Sequence, residues 1–264
     1  MGLSRVPVLD GLFRRFVWSR IHFPEMEMRF LNALPRGTID IAIDVGAALG
    51  SYSWILARKS RRVYAFEPGE QHNEYLSRLL WGTNIILSKS AAGSSNDTVE
   101  LYTPGSDTNA RHSATLSRAN PVARIPGTSV ERIQQVTLDS YLGERLAAAD
   151  RVDFVKVDVE GYELEVFRGA SQLLGEHHPL IVCEIEARHN RDFAHVFELL
   201  RTVSYQCYVW KSGAFVQFAG ENIEALQSES DLAVRLGAEY RPADNRYINN
   251  FVFQHPLSRV KVSS

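Results

Sequence analysis

The chain has 264 residues, of which 45% are hydrophobic and 23% charged, and its formal net charge is −2. This length suits one large domain, or a domain with an appendage, and the small charge gives no overall bias toward nucleic acid. We find neither an apolar run that could span a bilayer nor the pattern of a signal peptide. The two cysteines, Cys183 and Cys207, lie in apolar runs. We therefore expect reduced, buried thiols in a cytoplasmic protein that binds no nucleic acid.

Residues 1–36 differ in pattern from the rest of the chain. Apolar residues recur at helical spacing between Leu9 and Ile21, with three arginines among them. We predict a helix that docks on the main domain or on a second copy in a homo-oligomer. The alternative is a basic amphipathic helix in peripheral contact with a membrane surface. The break at 35–37 (PRG) divides an N-terminal helical extension, 1–36, from a main domain, 37–264.

The main domain alternates between short apolar runs and helical patterns. This alternation predicts an α/β fold with a Rossmann-like, doubly wound, mostly parallel sheet and helices on both faces. Strands are predicted at 39–45, 62–66, 84–87, 98–102, 152–157, 180–185, 206–210 and 249–253. Helices are predicted at 51–59, 70–81, 162–174 and near 192–201.

One long segment, 103–135, interrupts this rhythm. It is polar, carries three prolines, and contains more arginines than acidic residues. A connection of this length without clear elements is uncommon in a compact domain and is often a binding loop. We predict a lid-like insertion beside the ligand crevice, whose arginines suit an anionic acceptor. A plain surface insertion is the alternative. The segment also contains His112, a candidate base.

A glycine turn follows the first predicted strand, in the stretch IDVGAALGS at 43–51. Gly46 and Gly50 let the backbone approach a ligand, and Glu67 ends the next strand about 20 residues later, where an acid binds ribose hydroxyls. The pattern lacks the Lys-Ser/Thr of a P-loop, and Ala48 replaces the middle glycine of the dinucleotide fingerprint. This combination favours an adenosine ligand without a pyrophosphate, such as S-adenosylmethionine. An NAD-dependent oxidoreductase is the alternative.

Several blocks, which together span roughly 40–190, resemble the FkbM family of S-adenosylmethionine-dependent methyltransferases. The blocks are IDVGAALGSYS at 43–53, VYAFEPGEQHNEYL at 63–76, NIILSKSAAG at 84–93, VTLDSYL at 136–142, VDFVKVDVEGYELEVFRGASQLL at 152–174 and PLIVCEIE at 179–186. The KVDVEGYE motif is the most distinctive. The chain departs from the family at Ala48, where asparagine is usual, and at Glu70, where proline is usual.

The resemblance implies a class I methyltransferase fold and an O-methyltransferase that acts on a hydroxyl of a sugar, glycolipid or secondary metabolite. Asp44 and the two glycines of the turn would surround the methionine part of S-adenosylmethionine. Glu67 would bind its ribose, and Ser90 and Ala91 would lie near its adenine. The predicted cofactor-binding residues are Asp44, Gly46, Ala47, Gly50, Ser51, Glu67, Pro68, Ser90, Ala91 and Asp158.

Methyl transfer to an alcohol requires help in removing its proton. Strand alternation would place Lys156, Asp158 and Glu160 on one side, and Glu184 ends a neighbouring predicted strand. Clustered carboxylates raise one another's pKa, which suits a base, and they also suit a divalent cation such as Mg²⁺. The predicted catalytic residues are Asp158, Glu160, Glu184 and His189. In the alternative, Asp158 caps the next helix and Glu160 or Glu163 favours the N-terminus of that helix, or the protein is a non-catalytic binding relative.

Overall fold

The computed structural model describes residues 25–105, 114–189, 193–218, 223–228, 231 and 247–262. The strands are β1 (Ile39–Val45), β2 (Ser60–Phe66), β3 (Ile85–Ser88), β4 (Ala91–Ala92), β5 (Asp97–Thr103), β6 (Ser129–Val136), β7 (Val152–Val157), β8 (Leu180–Glu184), β9 (Gln206–Lys211), β10 (Ala214–Gln217) and β11 (Asn250–Gln254). The helices are α1 (Met26–Ala33), α2 (Ser51–Ala57), α3 (Glu70–Leu79), α4 (Leu138–Gly143), α5 (Glu163–Arg168), α6 (Ser171–His177), α7 (Phe193–Thr202) and α8 (Ile223–Leu226).

Eight strands form the main sheet, in the order β10-β9-β11-β8-β7-β1-β2-β3. The five strands from β8 to β3 are parallel, whereas β11 runs antiparallel between β8 and β9. The chain moves outward from β1 to β3 and later returns beside β1 as β7. This reversal of strand order opens a crevice at the carboxyl ends of β1 and β7, which is where doubly wound sheets bind ligands. The predicted α/β fold is therefore confirmed.

Helices cover both faces of the sheet and bury two apolar clusters. On one face, Leu31, Ile55 and Leu76 of the first three helices pack against the strands. On the other face, Val166 and Val196 belong to a second cluster. All residues of β7 are buried, as expected for a central parallel strand covered on both sides.

The segment 103–135 is more regular than its composition predicts. Strand β6 pairs antiparallel with β5 along its length, from Thr103↔Ser129 to Asp97↔Gln135, and β4 lies on its other side. The prediction that 103–135 lacks regular elements is therefore wrong over 129–135. Most of β6 is solvent-exposed and polar, so its side chains resemble those of a loop. His112 and Arg111 lie outside the described residues.

The helix predicted over 162–174 is two helices, α5 and α6, separated at Gly169. The backbone N–H of Asp139 donates to the carbonyl oxygen of Gly169 (3.0 Å), which withdraws that oxygen from a continuous helix. The carboxylate of Asp139 then accepts from the backbone N–H groups of Gln172 and Leu173, both at 2.9 Å. A residue distant in sequence thus ends one helix and caps the next.

The N-terminal prediction is described only in part. The helix predicted between Leu9 and Ile21 lies outside the described residues, and the domain division at residue 36 stays a prediction. Helix α1 packs on α2, and Lys59 Nζ donates to the carbonyl oxygen of Asn32 (2.7 Å) near the end of α1. None of the helices in the described ranges is long and apolar enough to cross a membrane. Cys183 and Cys207 are free thiols, the first buried and the second half-buried.

Candidate active site

A cavity of about 680 Å³, open to solvent, lies at the carboxyl ends of β1, β2 and β7. Part of its lining is apolar and part carries ionisable groups. The apolar residues include Phe66, Leu101 and Leu116, and the ionisable ones are Glu67, His72, Asp158 and Glu160.

The glycine turn is shaped by close backbone contacts. Gly46 has a φ of 81°, and a Cβ there would lie 1.8 Å from the carbonyl oxygen of Asp158. Gly50 has a φ of 83° and precedes the first residue of α2; a Cβ there would lie 2.8 Å from Leu76 Cδ2. The left-handed backbone and the lack of space therefore both require glycine at position 46.

Glu67 is fixed by backbone donors at the edge of the cavity. Its Oε2 accepts from the N–H of Ala48 (2.9 Å), and its Oε1 accepts from the N–H of Gly69 (2.8 Å). His72 Nδ1 lies 3.4 Å from Oε1, and this contact raises the pKa of His72, although burial opposes the rise. A carboxylate offers about four acceptor sites, so Glu67 retains capacity for hydroxyl donors of a ligand. His72 carried no signal in the sequence.

The predicted cofactor residues divide into two groups. Gly46, Glu67, Pro68, Ala91 and Asp158 line the cavity. The other five are close in sequence to residues of the lining but are not part of it: Asp44, Ala47, Gly50, Ser51 and Ser90. The roles of both groups in cofactor binding stay predictions.

Asp44 is buried at the end of β1. Its Oδ2 accepts from Ser53 Oγ at 2.5 Å. Burial raises the pKa of Asp44 to about 6, although the hydrogen bond from Ser53 and the charge of Lys156 oppose the rise. This hydrogen bond connects the end of β1 to the first turn of α2.

Lys156 is a fully buried cation beside the carboxylates. Its Nζ lies 3.7 Å from Asp158 Oδ2 and donates to Asn250 Oδ1 at 3.4 Å. Burial lowers the pKa of Lys156, but Asp158 and Glu184 outweigh that effect and raise it. Lys156 therefore stays protonated and partly neutralises the cluster.

Asp158 directly follows β7, and Glu184 is the last residue of the adjacent strand β8, so the two acids lie on neighbouring strands as the sequence predicts. Burial raises the pKa of Asp158 to about 6; Lys156 opposes this rise and Glu160 adds to it. About a third of the Asp158 side chain, 34%, is exposed. Burial also raises the pKa of Glu184, with Asp158 adding to the rise, and Glu184 Oε1 accepts from Asn249 Nδ2 at 2.6 Å. Of these two acids, Asp158 lines the cavity, whereas Glu184 does not and is held by Asn249, the residue before β11.

Glu160 reaches the site through a turn and not through strand alternation, because β7 ends at Val157. Its Oε2 lies 2.5 Å from His189 Nδ1, so these two predicted residues are brought together. Helix α5 begins without a side-chain cap, and Glu163 Oε1 instead accepts from the N–H of Gly161 at 2.7 Å. Neither Asp158 nor Glu160 is therefore a helix cap.

Metal binding was left open by the sequence. Within the ranges that the structure describes, no group of three or more histidine, cysteine, aspartate or glutamate side chains is arranged to hold a metal ion. The described geometry therefore gives a divalent cation no preformed site, and metal dependence stays a hypothesis.

The sheet order around β1 and β7 and the cavity at their carboxyl ends define the class: the fold is that of class I S-adenosylmethionine-dependent methyltransferases. A family model described as the methyltransferase FkbM domain matches residues 44–207. The chain therefore belongs to the FkbM methyltransferase family, as its motifs predict.

Individual proteins of known identity are also similar to this chain. The hexuronic acid methyltransferase AglP of Haloferax volcanii is 30% identical over 141 residues, which cover 51% of this chain and 52% of that protein. The crystal structure of methyltransferase FkbM from Methylobacillus flagellatus KT has a TM-score of 0.50 at 16% identity, covering 94% of this chain and 52% of that one. An O-methyltransferase from Bacillus cereus in complex with SAH has a TM-score of 0.46 at 12% identity, covering 94% and 89%. The chain spans about half the length of the first two relatives.

Proposed function

We propose that this protein transfers a methyl group from S-adenosylmethionine to a hydroxyl of a sugar, a glycolipid or a secondary metabolite. The observation that carries the proposal is the cavity between β1 and β7, which combines a close-packed glycine turn with a buried glutamate and a raised-pKa aspartate. The similarity to a hexuronic acid methyltransferase supports a sugar among these acceptors.

The residues present fit the cofactor. A Cβ at Gly46 would collide with the carbonyl of Asp158, so glycine keeps the turn after β1 packed against the turn after β7 at the cavity edge. Glu67 has acceptor capacity for ribose hydroxyls, and Phe66 and Leu101 supply apolar surface for a purine. When bound, S-adenosylmethionine supplies an electrophilic methyl group on a positively charged sulfur, and the acidic residues of the cavity favour that charge.

Asp158 is the residue that we assign to accept the proton of the acceptor hydroxyl. It lines the cavity, and with a pKa of about 6 it is ionised at neutral pH yet basic enough to take a proton. Lys156, 3.7 Å away, holds its carboxylate in place. His189 is the second candidate, but its Nδ1 faces Glu160. Glu184 does not line the cavity, and its Oε1 accepts from Asn249 Nδ2, so we assign it no direct part in the transfer.

Calorimetric titration with S-adenosylhomocysteine and with NAD tests the cofactor. We expect micromolar binding of the first and none of the second; the reverse result would favour an oxidoreductase. Tritiated S-adenosylmethionine and a panel of neutral, amino and uronic glycosides then test transfer. Binding of S-adenosylhomocysteine without transfer to any glycoside or alcohol would favour a non-catalytic relative.

The matched variant for catalysis is Asp158→Asn, which keeps the shape and removes the base. We expect methyl transfer to fall about 100-fold or more, while S-adenosylhomocysteine affinity changes only a few fold. Asp150→Asn is the control, because Asp150 pairs with Arg61 away from the cavity. Full transfer activity in Asp158→Asn would exclude Asp158 as the base.

A further inference from the structure

The turn after β7 has an unusual backbone. Glu160 has a φ of 51° and Gly161 a φ of 95°, so a glutamate occupies the left-handed region next to a glycine. This conformation is unfavourable for a non-glycine residue and persists only where surrounding contacts enforce it. No residue other than glycine fits at position 161 without a shift, because a Cβ there would lie 2.7 Å from the carbonyl oxygen of His189.

Two side chains of the insertion between β5 and β6 enforce the turn. Thr115 Oγ1 donates to the carbonyl oxygen of Glu160 at 2.7 Å, and Asn120 Nδ2 donates to the same oxygen at 2.6 Å. Both donors are buried, with relative exposures of 1% and 0%. Asn120 is itself fixed, because its Oδ1 accepts from the N–H of Val122 at 2.9 Å.

The same insertion also borders the cavity, to which it contributes Ala114 and Leu116. Glu160 stands on the cavity lining together with Asp158. The backbone contacts of the insertion therefore determine where a second carboxylate is placed in the cavity. A rotation of the Glu160 backbone out of the left-handed region would move that carboxylate away from His189 and from the lining.

We propose that Thr115 and Asn120 are positioning residues that hold the Glu160 carboxylate in the cavity wall, where it favours the cationic S-adenosylmethionine over the neutral S-adenosylhomocysteine. The inference rests on the proposed cofactor. The two ligands differ by one positive charge on sulfur, so a nearby carboxylate stabilises only the first. Such selectivity promotes exchange of product for a new cofactor.

Calorimetry on the whole protein at pH 8 tests this inference without an acceptor. The measured quantity is the ratio of the Kd of S-adenosylhomocysteine to the Kd of S-adenosylmethionine. We expect Glu160→Gln and the double variant Thr115→Val/Asn120→Ala to lower this ratio by a similar factor, about three- to tenfold. Thr115→Ser keeps the hydroxyl donor and is the matched control, for which the parent ratio is expected.

If these residues have a merely structural role, the substitutions would weaken the binding of both ligands equally and leave the ratio of the two Kd values unchanged. That result would overturn the inference. If the double variant does not fold, Glu160→Gln and the single variant Thr115→Val decide the question. An unchanged ratio of the two Kd values in both variants would also overturn the inference. Failure of the unmodified protein to bind either ligand would instead count against the proposed function.

Discussion

Gly46 and Asp158 lie in contact across the crevice between β1 and β7: a Cβ on the glycine would lie 1.8 Å from the carbonyl oxygen of the aspartate. The two turns that build the cavity are therefore packed backbone against backbone. The amide of Asp158 also donates to the carbonyl oxygen of Val45 at 2.9 Å. The glycine turn and the proposed base form one structural unit.

Gly46→Ala is expected to separate these turns. The substitution combines a left-handed backbone with a clash against a carbonyl group, so we expect the free energy of unfolding to fall by at least about 2 kcal/mol, and S-adenosylhomocysteine binding to be lost. Urea unfolding and calorimetry measure the two effects. Gly143→Ala is the control, because a Cβ there meets nothing within 4 Å. Equal stability of the two variants would contradict the close contact.

Ala48 is a position where a substitution is expected to raise the free energy of unfolding. It has a φ of 45°, which is unfavourable for alanine and accessible to glycine or asparagine. We expect Ala48→Gly to raise the free energy of unfolding by about 0.5–1 kcal/mol in urea titrations. Ala47→Gly is the matched control and should lower it, since Ala47 lacks a positive φ. A lower free energy of unfolding in Ala48→Gly would show that the positive φ of Ala48 does not destabilise the fold.

The parallel sheet was predictable because its strands are continuous apolar runs. The position of Gly46 and Glu67 on the cavity lining was predictable because it follows from their spacing along the chain. Strand β6 was missed because an exposed, charged strand has the composition of a loop. The carbonyl oxygen of Glu160 accepts from donors 45 and 40 residues earlier in the chain. Tertiary hydrogen bonds of this kind leave no periodic signal in one sequence.

Asp44 should make stability depend on pH. Its pKa rises from 3.8 in the unfolded reference to about 6 in the fold, so between these values the native state binds more protons than the unfolded state. Its contribution to stability therefore declines as pH rises from about 4 to about 6. We expect the Asp44→Asn protein to gain stability relative to the parent over that window, in urea titrations at several pH values.

A control for this pH effect is Ser94→Ala, since Ser94 is exposed shortly before β5 and carries no titratable group. Its difference from the parent should stay constant over the same window. A constant difference for Asp44→Asn as well would show that the ionised carboxylate at position 44 carries no burial penalty. The hydrogen bond from Ser53 would survive in Asp44→Asn, because the amide oxygen accepts it in place of Oδ2.

Glu67 is expected to dominate cofactor affinity. Glu67→Gln removes the negative charge and replaces one acceptor oxygen with a donor, so the amides of Ala48 and Gly69 cannot both be satisfied. Charge-assisted hydrogen bonds contribute about 1.5–3 kcal/mol each, so we expect S-adenosylhomocysteine to bind at least about tenfold more weakly by calorimetry. Glu74→Gln, on the exposed face of α3, should bind like the parent. An unchanged affinity in Glu67→Gln, with the fold intact by circular dichroism, would remove Glu67 from the ribose site.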